Sequence, residues 1–337
     1  LVTDRDAHRA GRMRGPWTKV VHVDYRVADD PARPRKSKRA SNRSGSSVSS
    51  DSTDQPIDER LGALPWLKLP FLGHPLLYAA ERYDELPLEG LRARPRRVRL
   101  FFAGAAHEYG YGLGPELSAQ AETFGLLPRL AVLEKVRRVL GPDRLIELRD
   151  ATHEEALLGD ASQAPAERSL DDQSGGSASS AQPLIGVFAL KHRVPRSVWL
   201  HRLADAEIFL CPPGSRMPFC HHVTEAMSVG TIPLLQYDQW LDPPLVDGET
   251  CFAFQSEADL PATLERALAA PPEQLARMRR AVATYADRYL QPGAFRERLL
   301  AHPAREIRLY VNLKDRQELR RLHAGSALVR PSPDTPR

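Results

Sequence analysis

The sequence predicts an α/β fold, a Rossmann-like, doubly wound parallel sheet occupying residues 96–300. Three observations predict it. From Arg96 onward, short apolar runs alternate with helix-length amphipathic stretches. Glycine and proline punctuate nearly every run. The runs are apolar on both sides rather than alternating, as strands covered on both faces must be.

Residues 98–103 form the first strand, closed by Gly104, and 126–140 an amphipathic helix stopped by Gly141-Pro142. A strand over 144–148 follows. After an interruption come a strand over 184–190, a helix over 195–204 with proline in its first turn, and a strand from Ile208 to Cys211 ended by Pro212-Pro213-Gly214. A helix over 219–229 is stopped by Gly230, and 231–236 reads as a buried strand. Two amphipathic helices, 259–270 and 273–289, are separated by Pro271-Pro272.

The flanks read differently. Residues 1–28 hold one candidate strand, at 20–27. Residues 29–57 are basic and then serine-rich, a composition expected to be disordered. Residues 58–95 are apolar and proline-rich without a clean period, so the N-terminal part is short or truncated. A second polar tract, 159–182, is expected as a disordered surface insertion. Residues 301–337 are taken as a C-terminal helix and tail.

Bulk properties narrow the class. With 337 residues, 42% hydrophobic and 27% charged, the chain can bury a core, while 29 prolines imply long irregular stretches. Three cysteines exclude a disulfide framework and favour a reducing compartment. The longest apolar stretch, 61–80, is interrupted by Lys68, His74 and prolines, so no transmembrane anchor is expected. The expected location is cytoplasmic or peripheral to a membrane. The chain opens on Leu1 and an Arg-rich stretch, which suits a fragment. A net charge of +4 at a pI near 9.0 is too mild to imply nucleic acid. The run Arg33, Arg35, Lys36, Lys38, Arg39 lacks interleaved aromatics and leaves only peripheral membrane association open.

In open α/β sheets, ligands lie beyond the carboxyl ends of the strands. Three loops qualify: Gly104-Ala105-Ala106-His107-Glu108, Lys191-His192-Arg193, and Pro212-Pro213-Gly214-Ser215-Arg216. The third carries the strongest signal, because a glycine turn between a buried strand and a helix can aim backbone N–H groups and a helix dipole at an anion. Along that helix, Phe219, Val223, Ala226 and Met227 share the core-facing spacing, and His221, His222 and Glu225 fall near the mouth. Glu225 can accept two hydrogen bonds from vicinal ribose hydroxyls.

Other patterns are weaker. Cys211, Cys220, His221 and His222 are zinc-type residues, but their spacing fits no known site and Cys211 falls in a buried strand, so no metal is expected. Gly110-x-Gly112-x-Gly114 lies too far beyond its strand for a dinucleotide fingerprint. Asp4-Arg5-Asp6 follows no strand.

The run Ile208-Phe209-Leu210-Cys211-Pro212-Pro213-Gly214-Ser215, then Glu225-Ala226-Met227-Ser228-Val229-Gly230-Thr231-Ile232-Pro233-Leu234-Leu235, resembles the C-terminal donor-binding domain of GT-B glycosyltransferases, nearest to the exostosin-like (family 47-like) kind. Phe101-Phe102-Ala103-Gly104 matches the usual first strand of that domain, and Pro244-Leu245-Val246-Asp247-Gly248-Glu249-Thr250-Cys251-Phe252 a late stretch of related bacterial enzymes. The resemblance implies a nucleotide-sugar donor as substrate, no cofactor, and a glycan or glycoconjugate acceptor, with residues 58–95 as the remnant of an acceptor domain. Glu225 corresponds to the ribose-binding glutamate, Gly214 to the loop glycine and Asp238 to the aspartate after the Ile-Pro strand. Gly104 and Ser215 complete the donor set. Cys220 stands where serine is expected and His222 where arginine is expected, so phosphate charge falls to Lys191 or Arg216. The resemblance implies inversion at the anomeric carbon, with His107 and Glu108 as candidate bases and no metal. Two alternatives remain: an inactive sugar-nucleotide-binding scaffold, and another Rossmann enzyme using nicotinamide or S-adenosylmethionine.

Overall fold

A computed structural model of the chain describes residues 20–24, 66–68, 88–104, 125–159, 183–214, 220–304 and 306–310. Several sequence-based expectations lie outside the described residues: the 29–57 linker, nearly all of the 159–182 insertion, the Gly110–Gly114 loop, Asp4 and Asp6, and His107, Glu108, Ser215, Arg216 and Phe219. In chain order the elements are β1 (Val20–Asp24), β2 (Trp66–Lys68), α1 (Leu88–Ala93), β3 (Val98–Ala103), α2 (Arg129–Arg144), β4 (Leu145–Glu147), α3 (Ala151–Leu158), β5 (Leu184–Ala189), α4 (Trp199–Ala204), β6 (Ala206–Leu210), α5 (His221–Ser228), β7 (Ile232–Leu235), β8 (Phe252–Ala253), α6 (Leu260–Ala269), α7 (Pro272–Tyr285), α8 (Pro292–Ala301) and β9 (Glu306–Tyr310).

The chain divides into two compact units, Leu1–Leu69 with Ala301–Arg337, and Pro70–Leu300. In the first, β9 lies between β1 and β2, both pairs parallel, with Val20 opposite Glu306 and Trp66 opposite Arg308. Residues 306–310 are thus a strand where the sequence suggests a helix. The second unit holds an all-parallel six-stranded sheet in the order β4-β5-β3-β6-β7-β8. This is the predicted α/β class.

The strands form where apolar residues are continuous. Val98, Leu100, Phe101, Phe102, Val187, Phe188, Ile208, Phe209, Leu210, Ile232 and Leu234 are all buried. Phe102 meets Phe188 edge-on with ring centroids 5.6 Å apart, and Phe209 lies 5.9 Å from Phe101, so β3 is knitted to both neighbours on the sheet faces.

The helix α2 buries Val132, Leu133, Val136 and Leu140. It breaks at Gly141-Pro142, as expected. Gly141 takes φ 66°, a bend that glycine alone accepts cheaply, and helical pairing resumes to Arg144. Its end approaches β5 so closely that a Cβ at Gly186 would sit 3.0 Å from Leu140 Cδ1 and 3.1 Å from the Arg144 carbonyl. The helix α3 has no counterpart in the sequence reading. Asp150 caps it, accepting from the His153 amide at 2.8 Å. The predicted helix over 195–204 is realised only from Trp199, and α7 ends at Tyr285, with a single π-type turn, Ala286–Leu290, completing the predicted span.

Charged residues close the amino-terminal ends of the strands. The Arg96 guanidinium donates to the carbonyls of Ala204, Ala206 and Val229 and to the Thr231 hydroxyl. Burial pushes its pKa down to about 10, which still leaves it charged at neutral pH. Close by, Glu154 accepts from Arg202 and pairs with His192, each at 2.5 Å, and Arg202 also reaches Asp205 at 3.2 Å. Arg94 completes the chain to Asp205 at 3.1 Å. Among the described residues, no helix is long and apolar enough to cross a membrane.

Glu154 and Arg202 side chains are each only 4% exposed. Removing one charge strands the other, so Glu154→Ala is expected to destabilise the Pro70–Leu300 unit by about 3–5 kcal/mol. Urea unfolding followed by circular dichroism checks this; a loss below about 1 kcal/mol would mean that water replaces the carboxylate.

Candidate functional site

The strand order fixes where the site lies. From β3 the chain goes out to β4 at the sheet edge, returns to place β5 between them, then crosses over to add β6 on the other side of β3. The crossovers on the two sides diverge, leaving a crevice beyond the carboxyl ends of β3 and β6. Gly104 follows β3, and Cys211 to Gly214 follow β6.

Helix α5 begins at His221, two residues later than expected, with Cys220 at its N-cap in an extended conformation and no side-chain cap. Val223, Ala226 and Met227 pack into the core as the spacing predicts. Glu225 does too. It is 2% exposed rather than at the rim, and its Oε2 accepts from the Trp199 indole N–H at 2.7 Å. Trp199 is in turn wedged against Phe101 and Phe209, at 6.3 and 5.9 Å between ring centroids. The carboxylate orientation is therefore set by the sheet's aromatic core.

His222 packs 5.0 Å from Trp199 and 5.8 Å from Phe209, and His221 lies 4.2 Å from His222, ring centre to ring centre. One lone-pair atom from each of His221, His222 and Glu225 lies within 4.8 Å of the other two. The Cys220 thiol hydrogen-bonds to both imidazoles. Burial opposes ionisation of that thiol, but His222 and His221 outweigh it and hold it well below the ordinary thiol range. For His221, burial is likewise outweighed, here by the hydrogen bond to Cys220 and by the charges of Cys220 and Glu225, so its pKa rises. Burial raises the Glu225 carboxyl against the pull of His222, His221 and the indole donor.

The sequence reading missed Arg129. Its Nε donates to the Pro213 carbonyl at 3.0 Å and its Nη2 to the Cys220 sulfur at 3.9 Å. A Cβ placed on Gly104 would lie 3.6 Å from both Arg129 Nη1 and His222 Cε1, so the glycine leaves room where these side chains converge. One signal was available: Arg129 is the first residue of α2, where the helix dipole disfavours a cation. Trp199 and Tyr237 were also missed. The Tyr237 hydroxyl is buried near the Cys211 and Cys220 thiols, and the Cys220 backbone approaches it in a geometry short of a hydrogen bond.

The other expected residues are dispersed. Gly214 closes the loop after β6, half-buried. Lys191 is exposed beyond β5, and its neighbour His192 is held by Glu154. Asp238 is buried after β7, where its charge is felt by the Cys251 thiol. Of the four residues in the zinc reading, Cys211 turns its thiol to the Phe209 carbonyl at 3.5 Å.

No protein-family model and no curated protein sequence matches the chain. Among solved structures, it is similar to an α,α-trehalose-phosphate synthase (UDP-forming) from Burkholderia vietnamiensis, with 12% identity, 68% of this chain and 50% of that one covered, and a TM-score of 0.35. It is also similar to the corresponding enzyme from Burkholderia xenovorans in complex with glucose-6-phosphate, with 13% identity, coverages of 68% and 50%, and a TM-score of 0.30. A candidate UDP-N-acetylglucosamine 2-epimerase from Listeria monocytogenes matches at 14% identity, coverages of 72% and 52%, and a TM-score of 0.27. The chain spans about half the length of these proteins.

Two outcomes follow from the geometry. Trp199→Phe keeps an aromatic ring against Phe209 but leaves Glu225 without its indole donor. It should cost about 1–3 kcal/mol in urea unfolding, where an unchanged midpoint would show the bond to be idle. The Cys211 thiol is pushed well above its ordinary range by burial and Cys251 is raised too, whereas Cys220 is lowered, so Cys220 is the most readily ionised of the three. A small alkylating reagent should modify Cys220 first in peptide mass mapping, and faster labelling of Cys211 or Cys251 would contradict this.

Proposed function

We propose that the chain binds a nucleoside-diphosphate sugar and transfers its glycosyl group to a hydroxyl of a glycan or glycoconjugate, as a GT-B glycosyltransferase of the exostosin-like kind. The convergence of Gly104, Arg129, His222 and Glu225 in the crevice between β3 and β6 carries the reading. Gly104 lets the backbone pack against His222 and Arg129, a guanidinium and a helix amino terminus supply positive potential, and a positioned carboxylate supplies acceptors.

In this reading the loop through Gly214 and Ser215 and the start of α5 receive the diphosphate. Arg129 provides a guanidinium where this chain has His222 in the place of the family's arginine, with Lys191 and Arg216 as further cations. Glu225, one oxygen fixed by Trp199, takes the ribose with its remaining acceptor sites. Asp238 keeps the place that the resemblance gives it after β7. As the glycosyl bond breaks, negative charge builds on the diphosphate oxygen. A fixed guanidinium and helix dipole lower that barrier without reorganising. Inversion requires a base for the acceptor hydroxyl, and His107 and Glu108 in the loop after Gly104 are the candidates.

Calorimetry of the full chain against UDP-, GDP- and ADP-sugars, S-adenosylmethionine and NAD tests the reading. One sugar nucleotide should bind, and Glu225→Ala should weaken it roughly 10- to 100-fold, the worth of a charged hydrogen bond. A folded chain that ignores every sugar nucleotide rejects the proposal, and uptake of NAD or S-adenosylmethionine alone replaces it with another Rossmann chemistry. Binding with neither hydrolysis nor transfer reduces the protein to a sugar-nucleotide-binding scaffold.

A further inference from the structure

The side chains at the head of α5 have the composition and spacing of a metal site. We propose that His221, His222 and Glu225 bind a divalent zinc-class ion with three protein ligands, leaving a coordination position open toward the Gly104 crevice. This departs from the metal-free reading of the sequence.

Three observations carry it. The lone-pair atoms of the two imidazoles and the carboxylate lie within 4.8 Å of one another. Zinc bonds of about 2.0–2.2 Å hold tetrahedral ligands roughly 3.3–3.5 Å apart, so small side-chain rotations suffice to close on an ion. Second, the ligand that must be most rigid already has an outer partner: the Trp199 indole N–H holds Glu225 Oε2 at 2.7 Å, as second-layer donors hold metal-bound carboxylates. Third, the backbone packs directly against the cluster at Gly104, where a Cβ would meet Phe102 Cζ at 3.3 Å and both Arg129 Nη1 and His222 Cε1 at 3.6 Å, so His222 is held on that flank by a residue without a side chain.

Two imidazoles and one carboxylate are a borderline-hard set suited to zinc, and a three-ligand site leaves room for water or a phosphate oxygen. Cys220, hydrogen-bonded to both imidazoles, is a thiol close enough to tune the set. Cys211 takes no part. The site shares Glu225 and His222 with the proposed donor site without competing for them. A carboxylate offers about four lone-pair positions, of which the indole takes one and the ion one. A diphosphate oxygen in the open position would draw the leaving group onto a second positive charge.

The test needs no nucleotide. The full-length chain, stripped with a chelator and dialysed, is titrated with Zn(II) by calorimetry and with Co(II) by visible absorption. One equivalent of each should bind, Co(II) giving the intense bands of a low-coordinate site. His221→Ala and His222→Ala should each weaken binding about 100-fold or more, beyond the 10- to 100-fold typical of losing an outer-layer partner. Cys211→Ala should leave it unchanged. No saturable uptake overturns the proposal, as does uptake that both histidine variants retain while their circular dichroism stays native. Sugar-nucleotide calorimetry on stripped and loaded protein separates the two readings: donor binding without metal uptake sinks only the metal site, and metal uptake without donor binding sinks only the donor reading.

Discussion

The buried guanidinium of Arg96 holds together the amino-terminal ends of β3, β6 and β7. It reaches carbonyls at both ends of the turn between α4 and β6 and at the end of α5, so two crossovers and the start of β3 meet on one cation. Parallel strands have no tight turns to align them and depend on their crossovers for register. With those ends fixed, the opposite ends of β3 and β6 are fixed too. The spacing between Gly104 and Gly214 follows.

The two ends of the sheet use polar residues differently. From the amino end, Arg94, Asp205, Arg202 and Glu154 are matched against one another, donor to acceptor, in a network that runs on to His192 beyond β5. At the carboxyl end, acceptors and lone pairs outnumber the fixed donors: Glu225, two imidazoles and the Cys220 thiol gather around one indole N–H and one guanidinium. The first arrangement is complete in itself. The second leaves acceptors spare, which suits hydroxyl donors or a cation, while the guanidinium of Arg129 is the group there that suits an anion.

Five strands of the main sheet, β3 to β7, were legible because each is a short, mainly apolar run; β3 matches its predicted span, the other four differ by a residue or two at their ends, and the two-residue β8 was not read as a strand. The helix α3 was not legible because its inward face carries Glu154, a buried charge that erases the amphipathic pattern. The pairing of β9 with β1 and β2 left no local signature, since the partners lie hundreds of residues apart and parallel pairing needs no hairpin. At the site, Glu225 was found through its surrounding pattern, but its burial was not foreseen. Its depth depends on Trp199, 26 positions away, and Arg129 meets Pro213 across 84. Sequence periodicity describes one element at a time and is silent on contacts of that range.

Arg97 has a wider consequence. Its side chain donates to the Leu158 carbonyl at 2.6 Å and its own carbonyl accepts from the Leu184 amide at 2.9 Å, so the chain leaves and re-enters the sheet at a single residue. The two ends of the stretch between these anchors are thus held together. Because closing a loop costs only about 0.6 kcal/mol for each doubling of its length, evolution can lengthen, shorten or rewrite this stretch with little thermodynamic penalty. For the same reason it is the natural port for an affinity tag, a fluorescent reporter or new chain termini, since its anchors meet at Arg97, before β3, and Gly104 follows the other end of that strand.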